Sequence, residues 1–513
     1  MFTHLVLVVY FLCVSGLAFY STHAYLMLYY YLKEIRQRKN GRKNRIKRIR
    51  KYPYVTVQIP LYNEKYVAER IIRSVCALDY PKDRLEIQVL DDSTDETTAL
   101  VARIVEDYQA RGFNIKLIHR NNRCGYKAGA LQNGLKFAQG EFVVIFDADF
   151  IVPRRFLKHT LPYFYQDPKV AAVQTRWGHI NKNYSFLTLG QAVALDGHFY
   201  VEQKLRADNG FFINFNGTGG IWRKEAIYDA GGWHSDTLTE DLDLSYRAQL
   251  KGWRLVFLRD LVVPGEVPVD FNGFRAQQYR WTKGACETAR KLLRPLLSSK
   301  LPWRVKYEGF IHLTNFMVFP LMLGLLLLSL PVLIIKVTYA QKLFWYFLVL
   351  SLFTVAVFPY PIIYGLTQKK LCRRKKYKSF FAKFQHQFMP VFLVGGFMSL
   401  SLSNTWAVIK GALGKPTEFT RTPKFRVVSK KDRVETKKYL EKPSPIVWGE
   451  LLLTMYLVVT TTYALIQFQL TLVPFLILYT MGYAYLSVGS LYQSVLSRFA
   501  FVYETQPTTS SSV

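Results

Sequence analysis

Cysteine is scarce in this chain: five residues in 513, scattered at Cys13, Cys76, Cys124, Cys286 and Cys372. No C-x-x-C pair occurs, which removes a disulfide framework and a zinc motif and fits a reducing compartment for the soluble part. H-E-x-x-H and G-x-x-x-x-G-K-[ST] are also missing, so zinc proteases and P-loop nucleotidases find no support. Gly217-Thr218-Gly219-Gly220 does not complete a dinucleotide fingerprint in the strand–turn–helix context that such a site needs. Acidic side chains are the other shortage. Asp and Glu number 36 against 68 Lys and Arg, a formal net charge of +32.

What the chain has in excess is apolar length. Half of it is hydrophobic, too much for an ordinary soluble enzyme of this basicity. Residues 5–32 form one apolar run, long enough to cross a hydrocarbon core of roughly 30 Å. A cleaved signal peptide would put the basic residues before the run, whereas here they follow it, so the run is expected to be an uncleaved anchor. Further runs at 309–335, 343–366, 445–468 and 472–496 give five expected spans. The basic blocks at 33–51, 369–378 and 410–442 sit beside these runs. That position favours a lipid bilayer over nucleic acid as their partner. Residues 389–409 are apolar too, but a crossing there would put the third basic block outside. Residues 380–413 are therefore expected to be interfacial or re-entrant helices.

Between the first two spans the texture alternates. Residues 54–60, 85–90, 114–119 and 142–146 read as strands, and 64–77, 96–111 and 127–139 as helices with 3.6-residue periodicity. Alternation of this kind predicts an α/β, doubly wound, mostly parallel sheet whose ligands gather at the carboxyl ends of the strands. Three of those ends carry polar clusters: Tyr62-Asn63-Glu64, residues 91–95, and Asp147-Ala148-Asp149. The last follows the wholly apolar Phe142, Val143, Val144, Ile145 and Phe146. In extended chain, positions i and i+2 point the same way, so Asp147 and Asp149 can converge on one hard divalent ion. A bare D-x-D is commonly only a strand end or an Asx turn. Its neighbours are what lift it above that.

Four clusters recur in order: LDDSTD (90–95), FDADF (146–150), TED (239–241) and QQYRW (277–281). Shorter matches are GYKAGAL (125–131), VQTRW (173–177), FNGTGGIWR (215–223) and AGGW (230–233). Together they resemble the D, DxD, TED, QxxRW pattern of the processive family-2 glycosyltransferases of the cellulose-synthase superfamily. The resemblance covers residues 55–293 and implies a GT-A type nucleotide-sugar transferase domain joined to a membrane domain.

The resemblance also implies roles. Asp147 and Asp149 would hold Mg²⁺ or Mn²⁺. Asp91, Asp92 and Lys127 would contact the nucleotide sugar, together with Asp147, Gln277, Arg280 and Lys424. Asp241 of TED would be the catalytic base, because an attacking hydroxyl must lose a proton. Phe215, Asn216, Gly217, Thr218 and Trp281 would bind the acceptor. Phe419, Thr422 and Lys424 match the family's gating loop. One base and no second nucleophile imply an inverting transfer. The expected product is a β-linked polysaccharide, β-1,4-glucan from UDP-glucose in the first place and β-mannan or glucomannan from GDP-mannose as the alternative. A non-processive lipid glycosyltransferase, such as a ceramide glucosyltransferase, shares D, DxD and a related RW motif but would need fewer spans and no gating loop. A transporter or receptor with a nucleotide-regulated domain would tolerate Asp241→Asn. The growing polysaccharide would be the acceptor and leave through the spans.

The expected organisation is an anchor at 1–33, a basic linker at 34–51 and the transferase domain at 52–300. Two spans follow at 301–368, then interfacial helices with the gating loop at 369–444, two spans at 445–497 and a disordered tail at 498–513. The transferase domain would face the cytoplasm, at a plasma or inner membrane or, in a eukaryote, the Golgi.

Overall fold

The computed structural model describes residues 1–38, 51–372, 380–415, 419, 421–432, 434, 437, 439 and 444–505. Most of the 34–51 linker, part of the second basic block, Thr420 and the end of the tail lie outside the described residues.

Seven strands form one sheet: β1 (Val55–Leu61), β2 (Leu85–Asp91), β3 (Ile115–His119), β4 (Phe142–Ile145), β5 (Val170–His179), β6 (Gly220–Arg223) and β7 (Arg254–Gly265), in the order β3-β2-β1-β4-β6-β5-β7. Every pairing is parallel except those of β6, which runs against both β4 and β5. The expected doubly wound sheet is present, with three strands beyond the four that alternation alone indicated. All residues of β1, β2 and β4 are buried, as helix-covered parallel strands require. Polar residues inside them are paired across the ladder. Gln58 Nε2 donates to Gln88 Oε1 at 3.0 Å and Thr56 Oγ1 to Glu86 Oε2 at 2.7 Å, each pair standing in register. Register also carries Leu61 to Asp91 and Asp91 to His119. The carboxyl ends of β1, β2 and β3 are therefore level. Helices Ala68–Cys76, Thr97–Ala110 and Tyr126–Phe137 fill the expected positions, with ends shifted by one to four residues.

Among the described residues, five helices are long and apolar enough to cross a membrane: Phe2–Arg36, Trp303–Leu327, Phe344–Leu371, Ile446–Ile466 and Val473–Leu496. The run expected as one span over 309–335 divides at Leu328, and its spanning part begins earlier, at Trp303. Pro331 explains the division, because it has no N–H to give the turn before it. The 380–413 stretch forms two helices, Phe380–Ser399 and Ser401–Ala412, that bend by 49° between Phe388–Ser399 and Ser401–Ala412, the geometry of a broken span or a re-entrant loop. Gly395 and Gly482 let this pair lie against Val473–Thr505. A Cβ on Gly395 would fall 2.2 Å from the Leu478 carbonyl, and one on Gly482 would fall 2.2 Å from that of Gly395.

The apolar helices and the sheet domain are tied by buried ion pairs. Arg275 clasps Glu450 through two bonds, Nε–Oε1 at 3.0 Å and Nη2–Oε2 at 2.7 Å, with side chains 4% and 0% exposed. Arg259 makes a similar fork to Glu34 on the first helix, at 2.6 and 3.1 Å. Removing one member of a buried pair strands the other charge, at a cost of about 3–5 kcal/mol. These two forks fix how the catalytic sheet sits on its helical base.

Candidate active site

One cavity opens where the carboxyl ends of β1, β2 and β4 meet the β7 end and the Phe271–Ser298 helix. β4 delivers the D-x-D turn. Asp147 N–H donates to Thr218 Oγ1 at 2.8 Å, and Asp149 is 2% exposed. Both carboxylates reach the cavity, and each meets a lysine. Asp147 Oδ1 lies 2.6 Å from Lys127 Nζ, and Asp149 Oδ2 lies 2.9 Å from Lys424 Nζ. Asp149 Oδ2 also accepts the Glu266 N–H at 3.1 Å.

Lys127 is placed by the helix that follows Gly125, whose φ of 70° suits glycine. Its ammonium donates to the Gly217 carbonyl at 2.9 Å and stands 3.8 Å from Glu240. Burial works against its charge, but Asp147, Glu240 and Asp241 outweigh that and hold its pKa above the usual lysine value.

Asp241 stands in the first turn of the Glu240–Leu250 helix. Its Oδ1 accepts the Leu242 N–H at 2.8 Å, which leaves Oδ2 facing Gly217. A Cβ at Gly217 would lie 3.2 Å from both that oxygen and Lys127 Nζ, so only glycine leaves this passage open. Gly217 also has φ 76°. Burial, then the Glu240 charge, push the Asp241 carboxyl up to about 7, against the pull of Lys127 and the backbone N–H groups. A carboxylate poised there can accept a proton near neutrality.

Gln277, Arg280 and Trp281 line the same cavity from one face of the long helix, spaced i, i+3, i+4. Asp270 caps that helix through Gly273 N–H at 2.5 Å. The described part of the 419–424 segment closes the cavity. Phe419 stacks on Tyr126 with ring centroids 5.6 Å apart, and the Arg280 guanidinium lies 4.5 Å from the Phe419 centroid. Thr422 is buried and lines the cavity.

Three of the expected site residues are not in the cavity. Asp91 is fully buried, with its carboxylate taken by Ser93 N–H at 3.1 Å, Thr98 Oγ1 at 2.7 Å and His119 Nδ1 at 2.9 Å. That leaves it no free oxygen for a nucleotide. Phe215 is fully buried against Trp222, so its role is core packing. Thr218 is also fully buried and orients the D-x-D turn through its bond to Asp147 N–H. Asn216 and Gly217 do line the cavity, as does Asp92, although Arg120 holds Asp92 bidentately at 2.7 and 2.5 Å.

Other lining residues were not singled out as candidates: Glu64, Arg123, Trp177, His179, Glu240, Glu266 and Arg421. Glu64 follows the Tyr62-Asn63 strand end, and Trp177 ends a quoted motif, so both had a signal. Burial pushes the Glu64 carboxyl up to about 7; Arg421 pulls it down and Asp149 adds to the rise. Glu266 arrives through tertiary structure alone. The Ile151 N–H donates to the Pro264 carbonyl at 2.8 Å, which lays the β7 end beside the D-x-D turn. Arg70 then grips Glu266 Oε1 at 2.5 Å.

The cavity's donor set fits a hard divalent cation: two carboxylates two residues apart on one strand end, oxygen ligands only. Outside the cavity, His234, Asp236 and Asp243 bring ligand atoms within 4.8 Å of one another, with Lys291 2.9 Å from each carboxylate and Arg247 2.6 Å from Asp243.

Residues 53–284 match the family model described as glycosyltransferase like family 2. A probable glucomannan 4-β-mannosyltransferase of Arabidopsis thaliana is 46% identical over 253 residues, 48% of this chain and 46% of that protein. A glucomannan 4-β-mannosyltransferase of Cyamopsis tetragonoloba is 43% identical over 275 residues, 53% of this chain and 52% of that protein. The chain spans about half the length of these curated relatives. Among solved structures, a mannosyltransferase from Pyrobaculum calidifontis in complex with GDP-Man and Mn²⁺ aligns with a TM-score of 0.47 and 24% identity, over 71% of this chain and 100% of that one. Over residues 53–284 the chain is therefore similar to family-2 glycosyltransferases.

Proposed function

We propose that the protein is a membrane-embedded, inverting glycosyltransferase that extends a β-1,4-linked polymer with mannosyl units, using GDP-mannose as donor. The observation that carries the transferase reading is the convergence of Asp147, Asp149, Lys127, Asp241 and the Gln277–Arg280–Trp281 face on one cavity. The names of the curated relatives favour the mannosyl donor over UDP-glucose, the donor expected first from the sequence.

In this reading Asp147 and Asp149 hold Mg²⁺ or Mn²⁺, which neutralises charge on the leaving diphosphate. Lys127, Arg280 and Gln277 bind diphosphate oxygens, the guanidinium as a planar fork. Trp281 offers a flat apolar face to the terminal sugar of the acceptor. The acceptor hydroxyl attacks the anomeric carbon as the bond to the diphosphate breaks, and its proton passes to Asp241 Oδ2. Attack opposite the leaving group turns an α-linked donor into a β-linkage. The apolar helices anchor this site at a bilayer, with the transferase domain on the cytoplasmic side and the polymer leaving between the spans.

Membranes containing the protein are to be given labelled GDP-mannose and UDP-glucose in parallel, and the product digested with linkage-specific glycanases. The proposal expects mannose to enter polymer that an endo-β-1,4-mannanase releases. Incorporation of glucose alone would return the reading to a glucan synthase, and a short glycolipid as sole product would contradict a polymer synthase.

A further inference from the structure

The carboxylate expected to bind a divalent cation already carries a cation of the chain's own. Asp149 Oδ2 accepts Lys424 Nζ at 2.9 Å and the Glu266 N–H at 3.1 Å, and its side chain is almost wholly removed from water. An ammonium and a divalent ion cannot share that oxygen, since two like charges would meet in a site with little water to screen them. Lys127, on Asp147, is in a different position. It belongs to the Tyr126–Phe137 helix and is tied to the Gly217 carbonyl as well as to Asp147. Lys424 belongs to a connecting segment that meets the domain through separable contacts. One of them is Arg421, 3.6 Å from Glu64, a carboxylate outside the D-x-D pair.

We infer that Lys424 is a tethered placeholder for the divalent cation on Asp149, displaced when the cation arrives with its nucleotide. The inference rests on the proposed role of Asp149 and adds a coupling to it. A cation arriving alone must expel Lys424 from a dry carboxylate and leave that ammonium among carboxylates already held by arginine, Glu64 by Arg421 and Glu266 by Arg70. A cation arriving with a nucleoside diphosphate brings phosphate oxygens that can receive the displaced ammonium. The placeholder therefore makes cation binding depend on nucleotide, and it keeps the Asp149 carboxylate neutralised between turnovers.

The test is a Mn²⁺ titration of the full-length protein in nanodiscs, followed by electron paramagnetic resonance, with and without GDP. Wild type is expected to bind Mn²⁺ weakly alone and more tightly with GDP. Lys424→Ala, with Lys424→Gln as a second variant that keeps side-chain length, is expected to bind Mn²⁺ alone roughly tenfold more tightly, with the gain from GDP reduced. Asp149→Ala is expected to lose the Mn²⁺ site under both conditions. If Asp149→Ala loses the site but both Lys424 variants bind Mn²⁺ alone no more tightly than wild type, the placeholder is overturned. If Asp149→Ala binds Mn²⁺ like wild type, the assignment of the cation seat itself has failed.

Discussion

Two strand ends of this sheet look alike in sequence and do opposite things. β2 ends on Asp91, with Asp92 next, and β4 is followed by Asp147 and Asp149; both strands are fully buried. At β2 the acids are satisfied by groups that cannot leave: Ser93 N–H, Thr98 and His119 around Asp91, and the Arg120 fork on Asp92. At β4 the partners are two lysine ammonium groups, one of them on a connecting segment. The difference teaches that a buried carboxylate is available for chemistry when its partner can be exchanged, and structural when its partners are short, local and several.

Substitutions at the two ends should therefore separate cleanly. The largest effect is expected at β4. Asp149→Asn should lower the transfer rate by roughly 10²–10³-fold, since charge on the leaving group loses its stabilisation, a loss of activity well beyond any loss of stability. Rates on labelled donor alongside thermal unfolding check this. At β2 the pattern should invert. Asp91→Ala strands Thr98 and His119 and should cost about 1–3 kcal/mol of stability. Thermal unfolding of the purified protein should register the loss, while nucleotide affinity of the folded fraction is kept. A fall in nucleotide affinity without loss of stability would erase the distinction.

A third prediction sharpens the comparison through pH. Asp241 is pushed up by burial and Glu240, with Lys127 pulling against them, to about 7. Because its carboxylate form accepts the proton, activity should rise as pH rises through about 7 and fall as it drops below. The pH profile of kcat checks the sign; a rate flat from pH 6 to 8 would speak against Asp241 as base. The smallest catalytic effect is expected at Phe215. Phe215→Leu should weaken packing against Trp222 by about 1–2 kcal/mol and leave acceptor KM nearly unchanged, as a core residue should. A raised acceptor KM at unchanged stability would return Phe215 to the pocket.

Much of this was legible in the sequence, for identifiable reasons. β4 is a continuous apolar run, β1 and β2 are short β-branched and aliphatic stretches bounded by polar turns, and the helices between them keep a 3.6-residue period, so the parallel half of the sheet followed from pattern. β6 did not, because four residues leave too little period to read, and its antiparallel setting depends on two neighbours. At the site, the order of four motifs brought Asp147, Asp149, Asp241, Gln277, Arg280 and Trp281 to one cavity. The motif FNGT read as one unit, yet its residues divide. Backbone turning at Gly217 keeps Asn216 and Gly217 on the cavity while Phe215 and Thr218 point into the core. Glu266 had no local signal at all, since only the adjacency of the β7 end to the D-x-D turn brings it there. Asp91 looked like a ligand because a motif records residue types and not which of their lone pairs are already spent.

The central claim is that this cavity transfers sugar with Asp241 as the group that takes the acceptor's proton. Single-turnover transfer from labelled GDP-mannose by Asp241→Asn, measured beside GDP binding to the same preparation, tests it most directly. The account predicts a loss of roughly 10²–10⁴-fold in transfer with GDP binding retained. Transfer at the wild-type rate by Asp241→Asn would contradict it.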